Sequence, residues 1–356
     1  MTILLLRLRL IGDVVFTTPA IRALRRRFPD ARLLYLVESA AAPVVATNPH
    51  LSEVLTVAHT RGWRRVSDDW RLARRLRATH IDVAIDFHGG PRSAWLTWAT
   101  RAPVRVGYDV PGRSWMYTRV VHRPRRLRPR HSVENQWDLI AAIDPALGAP
   151  DPEVDRVEMP VDPSAAAAIA RRLTTLGVPS CARLVVLHVS AGNPFRRWPE
   201  AHFAELAAGL ADASADAWVL VTGGPSDREA AARVLAESRR RARGSGDRIL
   251  DGEGLSLAEL RALMDRAALF IGGDSGPLHV ASTSDVPIVG LYGPTLPERS
   301  APWRPRGIPT SSVDAGVLPC RPCDQRVCAP GDFRCLTGVP TAAVRVAATR
   351  LLETSR

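Results

Sequence analysis

Strand-like apolar runs alternate with amphipathic helix patterns along most of the chain, and this alternation constrains the fold more than any other feature. Residues Ile3 to Leu10 form a buried-strand pattern that leads through Ile11-Gly12-Asp13 into a stretch where Val14, Val15, Ile21 and Leu24 have helical spacing. Further strands are expected at Arg32 to Val37 and Ile81 to Asp86. Between residues 149 and 163 the pattern stops, because Pro150, Pro152, Pro160 and Pro163 cannot continue a helix and read as a linker. It then resumes with strands at Leu184 to Val189, Trp218 to Val221, Ile249-Leu250, Ala268 to Ile271 and Ile288 to Leu291. Helices are expected from near Glu200, from near Asp227 and over Leu257 to Asp265. Such alternation produces parallel sheets wrapped by helices. With 356 residues, the chain can fill two cores. The expectation is an α/β protein of two Rossmann-like domains facing each other across a cleft, spanning 1–155 and 156–340, with a C-terminal helix at 341–356.

In open α/β sheets ligands bind beyond the carboxyl ends of the strands, so the loops there are where chemistry is sought. Asp13 lies on the first such loop, at a helix start, where the backbone favours an anion. It is a candidate general base, its rival role being a helix cap. Thr17 and Thr18 on the same turn are candidates for shaping an acceptor pocket. In the second half, the loop from Ser190 to Glu200 joins small residues to Arg196 and Arg197, a combination suited to a diphosphate because guanidinium groups bind phosphate oxygens in pairs, the rival reading being an ordinary loop with solvated arginines.

The most distinctive local pattern is Gly272-Gly273-Asp274-Ser275-Gly276-Pro277-Leu278-His279. Its glycines let the backbone approach a ligand, and amides at the following helix start can hold phosphate. Asp274 is then free for sugar hydroxyls, Ser275 and Gly276 face the phosphates, and His279 orients the loop. The run matches neither the P-loop nor the dinucleotide fingerprint. Asp227, after Gly223-Gly224-Pro225, is a candidate for ribose hydroxyls, with a helix cap as its equal rival role.

The net charge of +12 comes from arginine alone, concentrated at Arg61 to Arg75 and Arg123 to Arg130. Such faces suit phosphorylated glycolipid or an anionic membrane surface, the rival reading being ordinary solvated helix faces. Nucleic acid is not expected, since no RNA- or DNA-binding signature accompanies them. The absence of a long apolar run and of a signal-peptide pattern leads to the expectation of a cytoplasmic chain. Cys320, Cys323, Cys328 and Cys335 could hold a structural zinc, although their spacing is looser than paired CxxC motifs and reduced packed thiols are the preferred reading. No metal is expected at the reactive site.

Several segments together resemble the bacterial heptosyltransferases of glycosyltransferase family 9. They are Leu6 to Pro19, Asp86-Phe87-His88-Gly89-Gly90 with Arg92-Ser93, Arg105-Val106-Gly107-Tyr108, Arg197-Trp198-Pro199, and Leu257 to Gly293 followed by Pro294-Thr295. The Cys-rich run Pro319 to Cys335 is similar to one in many members. The resemblance implies the GT-B architecture and an inverting, metal-independent transfer of heptose from ADP-heptose to the inner core of lipopolysaccharide. It assigns Asp13 as catalytic base, Ser275 and Gly276 to the donor diphosphate, and Asp274 to the transferred sugar. A donor-contacting lysine of the family falls at Arg196, and its ribose-binding acid falls at or near Asp227. No cofactor beyond the nucleotide sugar is implied, and contact with the membrane would be peripheral. A sugar-nucleotide epimerase or hydrolase, and a non-catalytic sugar-nucleotide-binding protein, are the rival readings.

Overall fold

Apolar runs that are buried along nearly their whole length become the inner strands of two sheets. The computed structural model describes residues 1–58, 62–122, 130–189 and 193–354. The chain forms two compact units, Met1–Pro160 and Val161–Arg356.

The first unit contains β1 (Thr2–Leu6), β2 (Arg32–Glu38), β3 (Glu53–Val57), β4 (Val83–Asp86), β5 (Val104–Tyr108) and β6 (Arg119–Val121). These lie in the order β3-β2-β1-β4-β5-β6, every pair parallel. Ile3 to Leu6 and Leu33 to Val37 are essentially inaccessible, the pattern of strands covered on both faces. The first strand is shorter than its apolar run. Its ladder ends at Leu6, although Arg7 and Leu8 each still exchange a backbone hydrogen bond with the second strand, and Leu10 then turns through φ 70° into the helix Ile11–Val15. The Pro-rich stretch is held onto this unit, with Asp155 paired to Arg26 and Glu158 to Arg22 on the helix Thr18–Arg27.

The second unit contains β7 (Arg183–Val189), β8 (Ala217–Gly223), β9 (Ile249–Asp251), β10 (Leu269–Gly273), β11 (Ile288–Tyr292) and β12 (Thr310–Asp314). Their order, β12-β11-β10-β7-β8-β9, is the same winding as in the first unit when strands are counted from each unit's own first strand. All its pairs are parallel. The C-terminal helix Thr341–Thr354 buries Val344, Ala348 and Leu351 in this unit's core.

Both sheets therefore reverse direction once, between β1 and β4 and between β7 and β10. The loops that leave these neighbouring strands part to opposite faces, and a crevice opens at that point of a doubly wound sheet. Among the described residues no helix is long and apolar enough to cross a membrane.

Candidate functional site

In the first unit, the loops after β1 and β4 meet at the switch point. The guanidinium of Arg7, just past β1, donates to the Asp13 carboxylate and, at 2.5 Å, to the carbonyl of Phe87 just past β4. One arginine thus ties Asp13 to the neighbouring loop, while Gln136 donates to the Asp13 carbonyl from 3.3 Å. The Asp13 side chain keeps 28% of its surface exposed, so the carboxylate is oriented and still reachable.

His88 lies beside this pair. Burial and the positive charges of Arg7 and Arg9 push its imidazole down to about 4, against the opposing pull of Asp13, so the ring is neutral near pH 7. The loop that carries it is organised by Asp86, which is fully buried. One Asp86 oxygen accepts from the amides of His88 and Gly89 at 2.9 and 3.0 Å. The other accepts from Ser93 Oγ at 2.9 Å and Tyr117 Oη at 2.6 Å. Burial pushes the Asp86 carboxyl upward despite these four donors. Tyr117 reaches it only because Gly107 has no side chain: a Cβ there would stand 2.3 Å from the tyrosine ring.

In the second unit, the loops after β7 and β10 bring together Arg196, Asp274 and His279. Arg196 Nη1 donates to the Asp274 carbonyl at 3.0 Å and lies 3.3 Å from its Oδ2. His279 Nε2 stands 3.4 Å from Oδ1. Asp274 is 3% exposed. Burial pushes its carboxyl up, but His279, Arg196 and Ser300 outweigh this and hold it below the ordinary carboxylate range. Despite this proximity neither oxygen accepts a well-aligned hydrogen bond. A buried, ionised carboxylate with acceptor capacity in hand suits ligand hydroxyls. Ser275 begins the helix Gly276–Ala281, and its hydroxyl donates back to the Gly273 carbonyl at 3.1 Å.

Asp227 follows the adjacent strand β8 and is 6% exposed. It stands at a helix start but makes no side-chain capping bond, and Arg197 lies 3.9 Å from it. Thr17 and Thr18 are fully buried. Thr17 Oγ1 bonds the Val14 carbonyl and Tyr35 Oη at 2.6 Å each, and Thr18 Oγ1 bonds the Val15 carbonyl at 2.7 Å and accepts from the Glu158 amide at 2.9 Å. Neither threonine presents a hydroxyl at the loop surface. Ser190, Arg61 and residues 123–129 of the second arginine cluster lie outside the described residues.

Gln325 was not among the residues expected to matter. It sits in the Cys-rich segment with φ 59°, and its Oε1 accepts from Arg196 Nε at 2.8 Å and from Asn193 Nδ2 at 3.0 Å. Cys320, Cys323, Cys328 and Cys335 line one small apolar cavity of this segment. Burial, followed by the neighbouring Cys323, pushes the Cys335 thiol up. Among the described residues, no three His, Cys, Asp or Glu side chains stand close enough together to hold a metal ion.

Comparison with known proteins bears on the family and the fold. Residues 69–329 match the family described as glycosyltransferase family 9 (heptosyltransferase). The chain is 30% identical over 348 residues to lipopolysaccharide heptosyltransferase 1 of Pseudomonas aeruginosa, covering 92% of this chain and 87% of that protein. A family 9 glycosyl transferase from Veillonella parvula superposes with a TM-score of 0.82 at 23% identity, covering 99% and 97% of the two chains. The E. coli heptosyltransferase WaaC, solved with ADP, superposes with a TM-score of 0.68 at 21% identity over the whole of both chains.

Proposed function

The chain belongs to glycosyltransferase family 9, and from that premise we propose that it transfers heptose from ADP-heptose to a lipopolysaccharide core or related glycolipid acceptor. The observation that carries this reading is Asp274: a nearly buried carboxylate at the switch point of the second sheet, held ionised by Arg196 and His279, with neither oxygen in a well-aligned hydrogen bond. A nucleotide sugar fits that chemistry. Its sugar hydroxyls suit Asp274. Its diphosphate suits Arg196, Ser275, Gly276 and the amides of the helix that follows, and Ser190 belongs to the same donor set. His279 orients the Asp274 carboxylate, and Asp227 takes the ribose hydroxyls. Thr17 and Thr18 would support the acceptor side through the turn they stabilise.

In this mechanism Asp13 accepts the proton of the acceptor hydroxyl as its oxygen attacks the anomeric carbon. The glycosidic bond to the diphosphate breaks as the new bond forms, so a single displacement inverts the anomeric centre. Arg196 and the loop amides stabilise the charge gathering on the leaving diphosphate. That electrostatic role is the one a divalent ion fills in other designs, so transfer should proceed in the presence of chelator. Arginines of the first unit would draw it to the anionic inner face of the cytoplasmic membrane, where a glycolipid acceptor resides.

The test is calorimetric titration with ADP-heptose and other nucleotide sugars, followed by product analysis with and without a lipopolysaccharide-core acceptor. Preferential binding of ADP-heptose and acceptor-dependent release of ADP are expected. Turnover of the sugar nucleotide without acceptor would point to an epimerase or hydrolase instead.

A further inference from the structure

Five of the nine tryptophans of the chain lie on one face of the first unit. The helix Gly62–Ala78 buries Ala73 and Leu76 against the sheet, while Trp63, Val66 and Trp70, at spacings of three and four, stand 88%, 47% and 57% exposed. Trp70 meets Trp95 edge-on at 5.6 Å, and Trp95 shares a side of the helix Pro91–Ala99 with Trp98. Trp98 in turn meets Trp115 at 5.9 Å, itself 63% exposed. Trp63, Trp70, Trp98 and Trp115 are thus exposed across two helices and the following turn, with the partly buried Trp95 between them resting on the core.

Core packing accounts for Trp95 but not for the four exposed rings of this face, because the same helices already bury Leu76 and Leu96 in the core. Its support is rigid: Arg92 grips Asp69 with Nε at 3.0 Å and Nη2 at 2.6 Å and reaches Glu38 at 3.3 Å, clamping the two helices together. Arginines border the aromatic stripe on the first helix. Arg64 and Arg74 carry no ion pair among the described residues, so their charge is available to an anionic surface. Contiguous exposed aromatic surface marks an interaction site. Tryptophan prefers the boundary between headgroups and acyl chains, and a helix with an aromatic stripe flanked by arginine lies in that boundary.

We propose that this face docks the enzyme on an anionic lipid bilayer, with Trp63, Trp70, Trp98 and Trp115 entering the headgroup boundary and the bordering arginines meeting lipid phosphates. The inference rests on the glycolipid-acceptor reading above, and it adds an apolar component to what arginine charge alone would supply. The two components respond differently to salt. At roughly 0.5 M sodium chloride the screening length is about 4 Å, which removes most of the arginine contribution and leaves aromatic insertion in place.

The test is flotation of the full chain with phosphatidylcholine vesicles, with and without phosphatidylglycerol. The wild type should bind the anionic vesicles, retain part of that binding at high salt, and blue-shift its tryptophan fluorescence. A Trp63→Ser, Trp70→Ser, Trp98→Ser variant should lose about tenfold or more of the partition at both salt concentrations. Arg64→Gln with Arg74→Gln should weaken binding at low salt only. Transfer to a deacylated, water-soluble acceptor should be equal in wild type and both variants, which checks folding and keeps the outcome for docking separate from the outcome for transfer. Three results would overturn the proposal: no vesicle binding by wild type, unchanged binding by the tryptophan variant, or sedimentation showing a wild-type dimer that the tryptophan variant dissolves. The last would assign the face to a second copy of the chain.

Discussion

Replacing Arg196 isolates the electrostatic part of donor recognition. Its Nη1 stands 3.3 Å from Asp274 Oδ2, a separation at which unit charges attract by ~5 kcal/mol at an effective dielectric of about 20. The side chain is 30% exposed, so solvent reduces that gross attraction to the order of 1 kcal/mol for stability. The larger consequence falls on the ligand. A charge-assisted hydrogen bond contributes about 1.5–3 kcal/mol, so losing the equivalent of one or two to the diphosphate costs ~3 kcal/mol, or roughly 150-fold in donor affinity. Arg196→Lys keeps the charge but not the fork, and cannot hold Gln325 and a diphosphate at once; a loss of about tenfold is expected. Titration of each variant with ADP and ADP-heptose, alongside kcat/KM for transfer, reads the effect. The fall in kcat/KM should exceed the loss of affinity, because charge on the leaving diphosphate grows toward the transition state. Changes of less than about threefold in both quantities for Arg196→Ala, in a folded protein, would refute the assignment.

Three other consequences can be measured directly. Gln325→Ala removes the acceptor that holds Arg196 Nε at 2.8 Å and should raise the donor KM by about threefold to tenfold with little change in unfolding midpoint; a variant with wild-type KM would show that the contact is incidental. Asp86→Ala strands four donors, two of them buried hydroxyls, and should cost ~3–5 kcal/mol in denaturant unfolding; a loss below about 1 kcal/mol would mean that the loop repacks. His188 is fully buried and pushed down from 6.5 to about 4 by that burial. It must stay neutral in the fold, so its contribution is complete above about pH 6.5 and falls by ~3 kcal/mol as pH drops toward 4. Chemical denaturation at pH 7 and pH 5 should show the slope, and His188→Asn should reduce it, leaving the part that His88 contributes.

Most inner strands and the two switch-point loops were legible because their signals are local. Ile3 to Leu6 and Leu184 to Leu187 are unbroken apolar runs, and Asp13 follows the first while Asp274 closely follows another, Leu269 to Ile271. Four other strands lacked that signal: the inner strand β5, where Arg105 and Gly107 interrupt the apolar residues, and three edge strands. β3, β6 and β12 lie at sheet edges, where Glu53, Arg119 and Ser311 are tolerated, so their sequences do not read as buried runs. The partners of the site residues were hidden for a different reason. Arg7 meets Phe87 across 80 positions, Tyr117 meets Asp86 across 31, and Arg196 meets Gln325 across 129. Such pairings depend on strand order, which periodicity does not encode. Thr17 and Thr18 illustrate the converse. Their position beside Asp13 is plain in sequence, yet only the packing reveals that both hydroxyls point into the unit.

The central claim is that Asp13 removes the acceptor proton while the second unit binds the donor, and an Asp13→Ala variant tests it most directly. The measurement is the single-turnover rate of heptose transfer beside the affinity for ADP-heptose. The account predicts donor affinity within about twofold of wild type and a transfer rate lower by roughly 100-fold to 10,000-fold. A folded variant that binds donor normally and transfers at a rate within about tenfold of wild type would contradict it.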